Sequence, residues 1–264
     1  MKYLRPKMPV FNVGGSFIIA VTCKDGILVA ADSRNTISNN FGKQLAYYDN
    51  VQKIFSFGKV AIAYTGHDTI QNLYFGAIID AFAKTISDEI PVDQVLPTFF
   101  SFIESNLPYE AQVQVKQQVL IAVGYKDGKP LGCYYNYAQT EGPKSSCGTL
   151  TILSSDKTIV DDNKANLFSM DFKELSELVH EAIYQYAEER NIIDIGGPVF
   201  ILAITNDGPR WLSSVPMKRK WDNMHEFASI YWDGGVDLHL LPGVEKQEVE
   251  DLIRKGEIWS KGSQ

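Results

Sequence analysis

One device constrains this chain more than any other: two apolar, β-branched runs joined by a short turn containing Asp-Gly, used three times. Residues 16–23 and 27–31 flank Lys24-Asp25-Gly26, and residues 119–125 and 131–135 flank Lys126-Asp127-Gly128-Lys129. Residues 199–204 lead through Asn206-Asp207-Gly208 to Trp211 and Leu212. Asp-Gly between apolar runs is a strong hairpin signal, because tight hairpin turns need residues that tolerate positive φ. A fourth pair, residues 51–57 and 60–64, turns at Gly58-Lys59. The runs are apolar on successive residues instead of alternating, which predicts strands covered on both faces.

What covers them is also legible. From Asp68, the positions Ile70, Leu73, Tyr74, Ala77, Ile78, Ala81 and Phe82 recur at spacings of three and four, the mark of a helix with one buried stripe. From Phe172 the set Leu175, Leu178, Val179, Ala182, Ile183, Tyr186 and Ala187 does the same. A weaker helix follows Pro91 through Val95, Phe99 and Ile103, with Pro97 limiting its first turn. This order predicts an α+β fold: two antiparallel sheets stacked face to face, with helices outside each.

Charge divides the chain. The formal net charge is −7, from 25 basic and 32 acidic residues, which argues against a nucleic-acid or anionic-membrane partner. Residues 1–15 are basic, carrying Lys2, Arg5 and Lys7 without an acid, and lack the apolar core of a secretory signal. Residues 16–214 form an acidic body. Residues 215–264 are nearly neutral and hold Trp221, Trp232 and Trp259, with an amphipathic helix expected around Val244, Val249, Leu252 and Ile253. Those aromatics pack onto the body or onto a partner subunit; the sequence does not choose. Three scattered cysteines, Cys23, Cys133 and Cys147, read as reduced thiols of a cytoplasmic protein. The four histidines lack ligand spacing and the turn at 161–163 lacks the glycine and terminal glutamate of a calcium loop, so neither metal nor cofactor is expected.

Gly14-Gly15-Ser16, the first hairpin, Ala30-Ala31-Asp32-Ser33-Arg34, Lys53, Tyr64-Thr65-Gly66 and the late Gly196-Gly197 together resemble proteasome β-type subunits over roughly residues 12–214. The resemblance implies an N-terminal-nucleophile hydrolase fold, a four-layer αββα sandwich, and assembly into rings, here a homo-oligomer. It implies a peptide or amide substrate and cleavage of Gly15-Ser16, leaving Ser16 as nucleophile with its own α-amino group as base. Lys53 matches the family's catalytic lysine and Asp32 the aspartate that holds it. Gly66 matches the glycine whose backbone N–H faces the oxyanion, and Ser155 a supporting serine. Tyr64 and His67 would then line the specificity pocket.

The sequence also departs from that pattern. Ile192 and Ile195 stand where the family has a second supporting Asp and Ser, and about five extra residues, 38–42, separate Asp32 from Lys53. The residues before the first strand also resemble non-catalytic β-type subunits. A ring or scaffold subunit that keeps residues 1–15 is therefore the alternative to an enzyme.

Overall fold

The computed structural model describes residues 16–38, 43–71, 73–138, 142–154, 166–190, 192–212, 215–216, 229–232 and 236–254. Residues 1–15, Ser155 and the turn at 161–163, all singled out above, lie outside the described residues.

Every expected hairpin is present. β1 (Ile18–Cys23) pairs with β2 (Gly26–Ala31), and β5 (Ile54–Phe57) with β6 (Val60–Thr65). β9 (Val119–Lys126) pairs with β10 (Lys129–Ala138), and β13 (Pro198–Thr205) with β14 (Gly208–Trp211). Asp127 and Gly128 both have positive φ, 52° and 72°, the requirement of the tightest hairpin turn. β1 and β2 are buried at every residue, as their unbroken apolar runs predict.

These hairpins build two antiparallel sheets. One runs β12 (Ile152–Ser154), β1, β2, β13, β14, with β15 (Val215–Pro216) also on β13; the other runs β11 (Gly142–Thr149), β10, β9, β6, β5. Ile18, Ala20, Ile27, Val29 and Ala31 of the first meet Ile54, Ala61, Ala63, Ile121 and Val123 of the second in one buried cluster. On its other side, the first sheet packs Ile19, Val21, Leu28 and Ile201 against Leu175, Val179 and Ile183 of α4 (Phe172–Glu189). The second packs Ile62, Leu120 and Ala122 against α1 (Phe75–Ala83), α2 (Val92–Asn106) and α3 (Tyr109–Lys116). The fold is mixed α+β with antiparallel sheets.

Three features depart from the sequence expectations. The helix expected from Asp68 begins at Phe75, because β7 (Thr69–Ile70) and β8 (Leu73–Tyr74) first form a small hairpin around Gln71, whose φ is +50°. The proline at 97 sits inside α2 without ending it. A third sheet was not foreseen: β3 (Asn35–Ser38) and β4 (Gln44–Tyr48) are extended by β17 (Val236–Leu240) and β16 (Ser229–Trp232). Leu238, Leu240 and Val249 of the tail close over Ile37, Leu45 and Tyr48, so this part of the tail packs on its own body. The expected amphipathic helix is α5 (Lys246–Arg254).

The cysteines require a correction. Cys133 and Cys147 are not reduced thiols but a disulfide, formed because β11 lies beside β10 in a register that sets the two residues directly opposite. Cys23 is free and buried, and burial pushes its thiol pKa up, which keeps it unreactive. A non-reducing peptide map will recover the Cys133–Cys147 linkage. Replacing both with alanine will lower unfolding stability by no more than about 3 kcal/mol, the chain-entropy worth of so short a loop.

Candidate active site

The centre of the site is a carboxylate with no exposure to solvent. Asp32 follows β2, and its Oδ1 accepts from the Phe17 backbone N–H at 2.7 Å. Its Oδ2 accepts from the N–H groups of Arg34 at 3.1 Å and Gly196 at 3.2 Å. The Lys53 ammonium reaches both oxygens at 3.2 Å and donates to the Arg34 carbonyl at 2.6 Å. Asp32 is 0% and Lys53 1% exposed. Burial pushes Lys53 below the ordinary lysine range, against the pull of Asp32. Burial also raises Asp32, opposed by the Lys53 charge and by the N–H groups of Phe17, Gly196 and Arg34.

Ser16 stands beside this pair because the peptide joining it to Phe17 is held at both polar atoms. Phe17 N–H goes to Asp32, and the Ser16 carbonyl accepts from the Thr65 hydroxyl at 3.1 Å. Thr65 ends β6 and is followed by Gly66, at a φ of +131° that L side chains rarely adopt. The structure thus brings Ser16, Asp32, Lys53 and Gly66 into one neighbourhood. Four residues flanking the ends of β1, β2, β5 and β6, fifty positions apart at the extremes, are drawn together by these bonds.

A second tier fixes Asp32 from behind. Arg34 grips Asp49 through two N–H groups at 2.8 and 3.0 Å and lies 3.8 Å over the Tyr47 ring. The Gly196-Gly197 pair is explained by contact. A Cβ on Gly196 would sit 2.3 Å from the Arg34 guanidinium carbon, and Gly197 has φ +69°. Its approach lets the Gly196 N–H reach Asp32 while its carbonyl accepts from Ser33 N–H.

Lys53 is also held through its backbone. Its carbonyl accepts from Tyr64 N–H, and the preceding Gln52 carbonyl accepts from the Tyr74 hydroxyl at 2.9 Å. Tyr64 does not line a pocket: it is buried in the core beneath α1, and its hydroxyl donates to Asp68 at 2.8 Å. Tyr48 donates to the other Asp68 oxygen at 2.8 Å. Asp68 carries no solvent exposure, and its charge pulls Lys53 upward against the lowering by burial. The sequence places Asp68 only at the start of an expected helix and Thr65 only beside Gly66, and does not point to Asp49 or Tyr48. Among the described residues, no group of three His, Cys, Asp or Glu side chains is placed to hold a metal ion.

Fold and site together define the class: antiparallel sheets stacked on one another, with a strand-start serine beside a buried aspartate–lysine pair. The family model for the proteasome subunit matches residues 13–196, a span that reaches from before Ser16 to Gly196. The chain belongs to the proteasome subunit family. A comparison with curated proteins gives no match. No helix among the described residues is long and apolar enough to cross a membrane.

The pairing of Asp32 and Lys53 makes a measurable demand. Removing either partner leaves a buried charge uncompensated, so Asp32→Ala and Lys53→Ala will each cost about 3–5 kcal/mol in urea unfolding. The double variant will cost clearly less than the two single losses combined. Additive losses would show that the two groups do not interact.

Proposed function

We propose that this chain is a proteasome-β-type N-terminal-nucleophile hydrolase, built as a four-layer αββα sandwich and working in a ring of copies of itself on peptide or other amide carbonyls. The sandwich is supported by the three apolar clusters: helices on one sheet, sheet on sheet, helices on the other. The observation that carries the activity is the clamp on the Ser16–Phe17 peptide between Thr65 and the Asp32–Lys53 pair.

Cleavage comes first in this reading. The Ser16 hydroxyl adds to the Gly15 carbonyl, the amide nitrogen of Ser16 leaves, and the resulting ester is hydrolysed by water, which releases residues 1–15 and exposes the α-amino group. That amine has an ordinary pKa of about 7.7–8.0 and is a competent base near neutrality. In turnover it takes the Ser16 hydroxyl proton as the oxygen adds to the substrate carbonyl, and the proton passes to the departing amine. Water then hydrolyses the acyl-serine. The Lys53 charge favours proton loss at Ser16, and the Gly66 N–H faces the oxyanion, a role that needs no side chain. Asp32 fixes Lys53, and Ser155 supports the serine. Residues 16–214 are the catalytic module, 1–15 the propeptide and 215–264 an attachment.

A second reading rests on one observation. Ile195 is buried and Ile192 packs in the same apolar cluster, at the positions where the family's second supporting pair belongs. That favours a non-catalytic ring subunit that retains residues 1–15. Intact-mass analysis during incubation at neutral pH separates the two. The hydrolase reading expects loss of residues 1–15 and an N-terminal Ser16, abolished in Ser16→Ala. Full retention by the assembled protein, or unchanged processing in Ser16→Ala, would overturn it.

A further inference from the structure

The mechanism above uses a backbone N–H at Gly66 and leaves open what holds that N–H in place. Thr65 pairs with Val119 in the β6–β9 ladder, so the next residue out on each strand, Gly66 and Gln118, stand opposite one another where the ladder ends. Gln118 is completely buried. Its side-chain N–H donates to the His67 carbonyl at 3.1 Å. Its Oε1 occupies the space a side chain at 66 would need: a Cβ on Gly66 would lie 1.9 Å from it. That oxygen has no hydrogen-bond partner among the described residues.

Burying an amide with half of its hydrogen bonding unmet is unfavourable, and for filling space alone a leucine of similar size would serve better. What the glutamine supplies that leucine cannot is the bond to His67. The turn 65–67 is then tied at both ends, by Thr65 to the Ser16 carbonyl and by His67 to Gln118, with Gly66 between them at φ +131°. A glycine has no side chain to restrict its own rotation, so its N–H direction is set by what holds its neighbours. We infer that Gln118 is a positioning residue that fixes the Gly66 N–H toward the reacting carbonyl at Ser16. The inference deepens the hydrolase reading and rests on it for its kinetic consequence, but the fixing of the turn is testable without turnover.

Gln118→Leu keeps the bulk and removes the bond. In its crystal structure the His67 carbonyl will have rotated away from position 118 and Gly66 will have left its present φ. On an amide substrate, the protein beginning at Ser16 will lose kcat by about tenfold or more with KM near wild type, because an oxyanion contact acts only in the transition state. Gln118→Glu serves where the leucine variant fails to fold. Its ionised carboxylate has no proton for His67, whereas the protonated acid has one. Its kcat relative to wild type will therefore recover as pH falls, a profile a purely structural role would not produce. An unmoved 65–67 turn in Gln118→Leu, or in Gln118→Glu with its carboxyl ionised, would overturn the inference. So would kcat within twofold of wild type, or a flat pH ratio, in an active enzyme. If wild type shows no amidase activity, the hydrolase reading fails while the crystal structures still decide the role of Gln118.

Discussion

A single buried carboxylate organises this molecule. Asp32 accepts from three backbone N–H groups belonging to the first strand, its own loop and the glycine turn before β13, and from the Lys53 ammonium. Taking a charge wholly out of water is costly unless it is paired and hydrogen-bonded, and here every donor comes from a different stretch of chain. Three segments far apart in sequence therefore have to converge before the carboxylate is satisfied. Ser16 is brought toward the lysine because the N–H of the next residue, Phe17, binds the carboxylate that Lys53 also binds.

The surrounding sequence reads as support for this arrangement. Arg34 makes two bonds to Asp49 and lies over the Tyr47 ring, while the Lys53 ammonium reaches both Asp32 oxygens. The glycines at 196 and 197 let a backbone N–H approach where any side chain would strike Arg34 or Asp49. Behind Lys53, Tyr48, Tyr64 and Asp68 form a second buried acidic group that adds negative charge to its environment. Burial lowers the lysine while the carboxylates of Asp32, Asp68 and Asp49 pull the other way.

The hairpins were legible because each needed one local signal, a short glycine-containing turn between apolar runs, and α4 because its apolar stripe is long. What was hidden depended on partners. β11, of sequence Gly-Pro-Lys-Ser-Ser-Cys-Gly-Thr, has no apolar period and is a strand only because β10 pairs with it, so the Cys133–Cys147 link was hidden with it. β3 and β4 carry the mixed residues of an inserted hairpin, and the tail strand β17 completes them from nearly two hundred residues away. In the site, the residues given by family resemblance were visible as a spaced set. Asp49, Gln118 and the bond from Thr65 to the Ser16 carbonyl were not, since each acts through a backbone carbonyl or an arginine that no sequence pattern connects to it.

The central claim is that Ser16, freed of residues 1–15, is a nucleophile. Labelling the incubated, assembled protein with a fluorophosphonate, followed by peptide mapping, tests it directly. The account predicts one adduct, on the hydroxyl of an N-terminal Ser16, lost in Lys53→Ala. Processed protein that carries no adduct, or an adduct on another side chain, would contradict it.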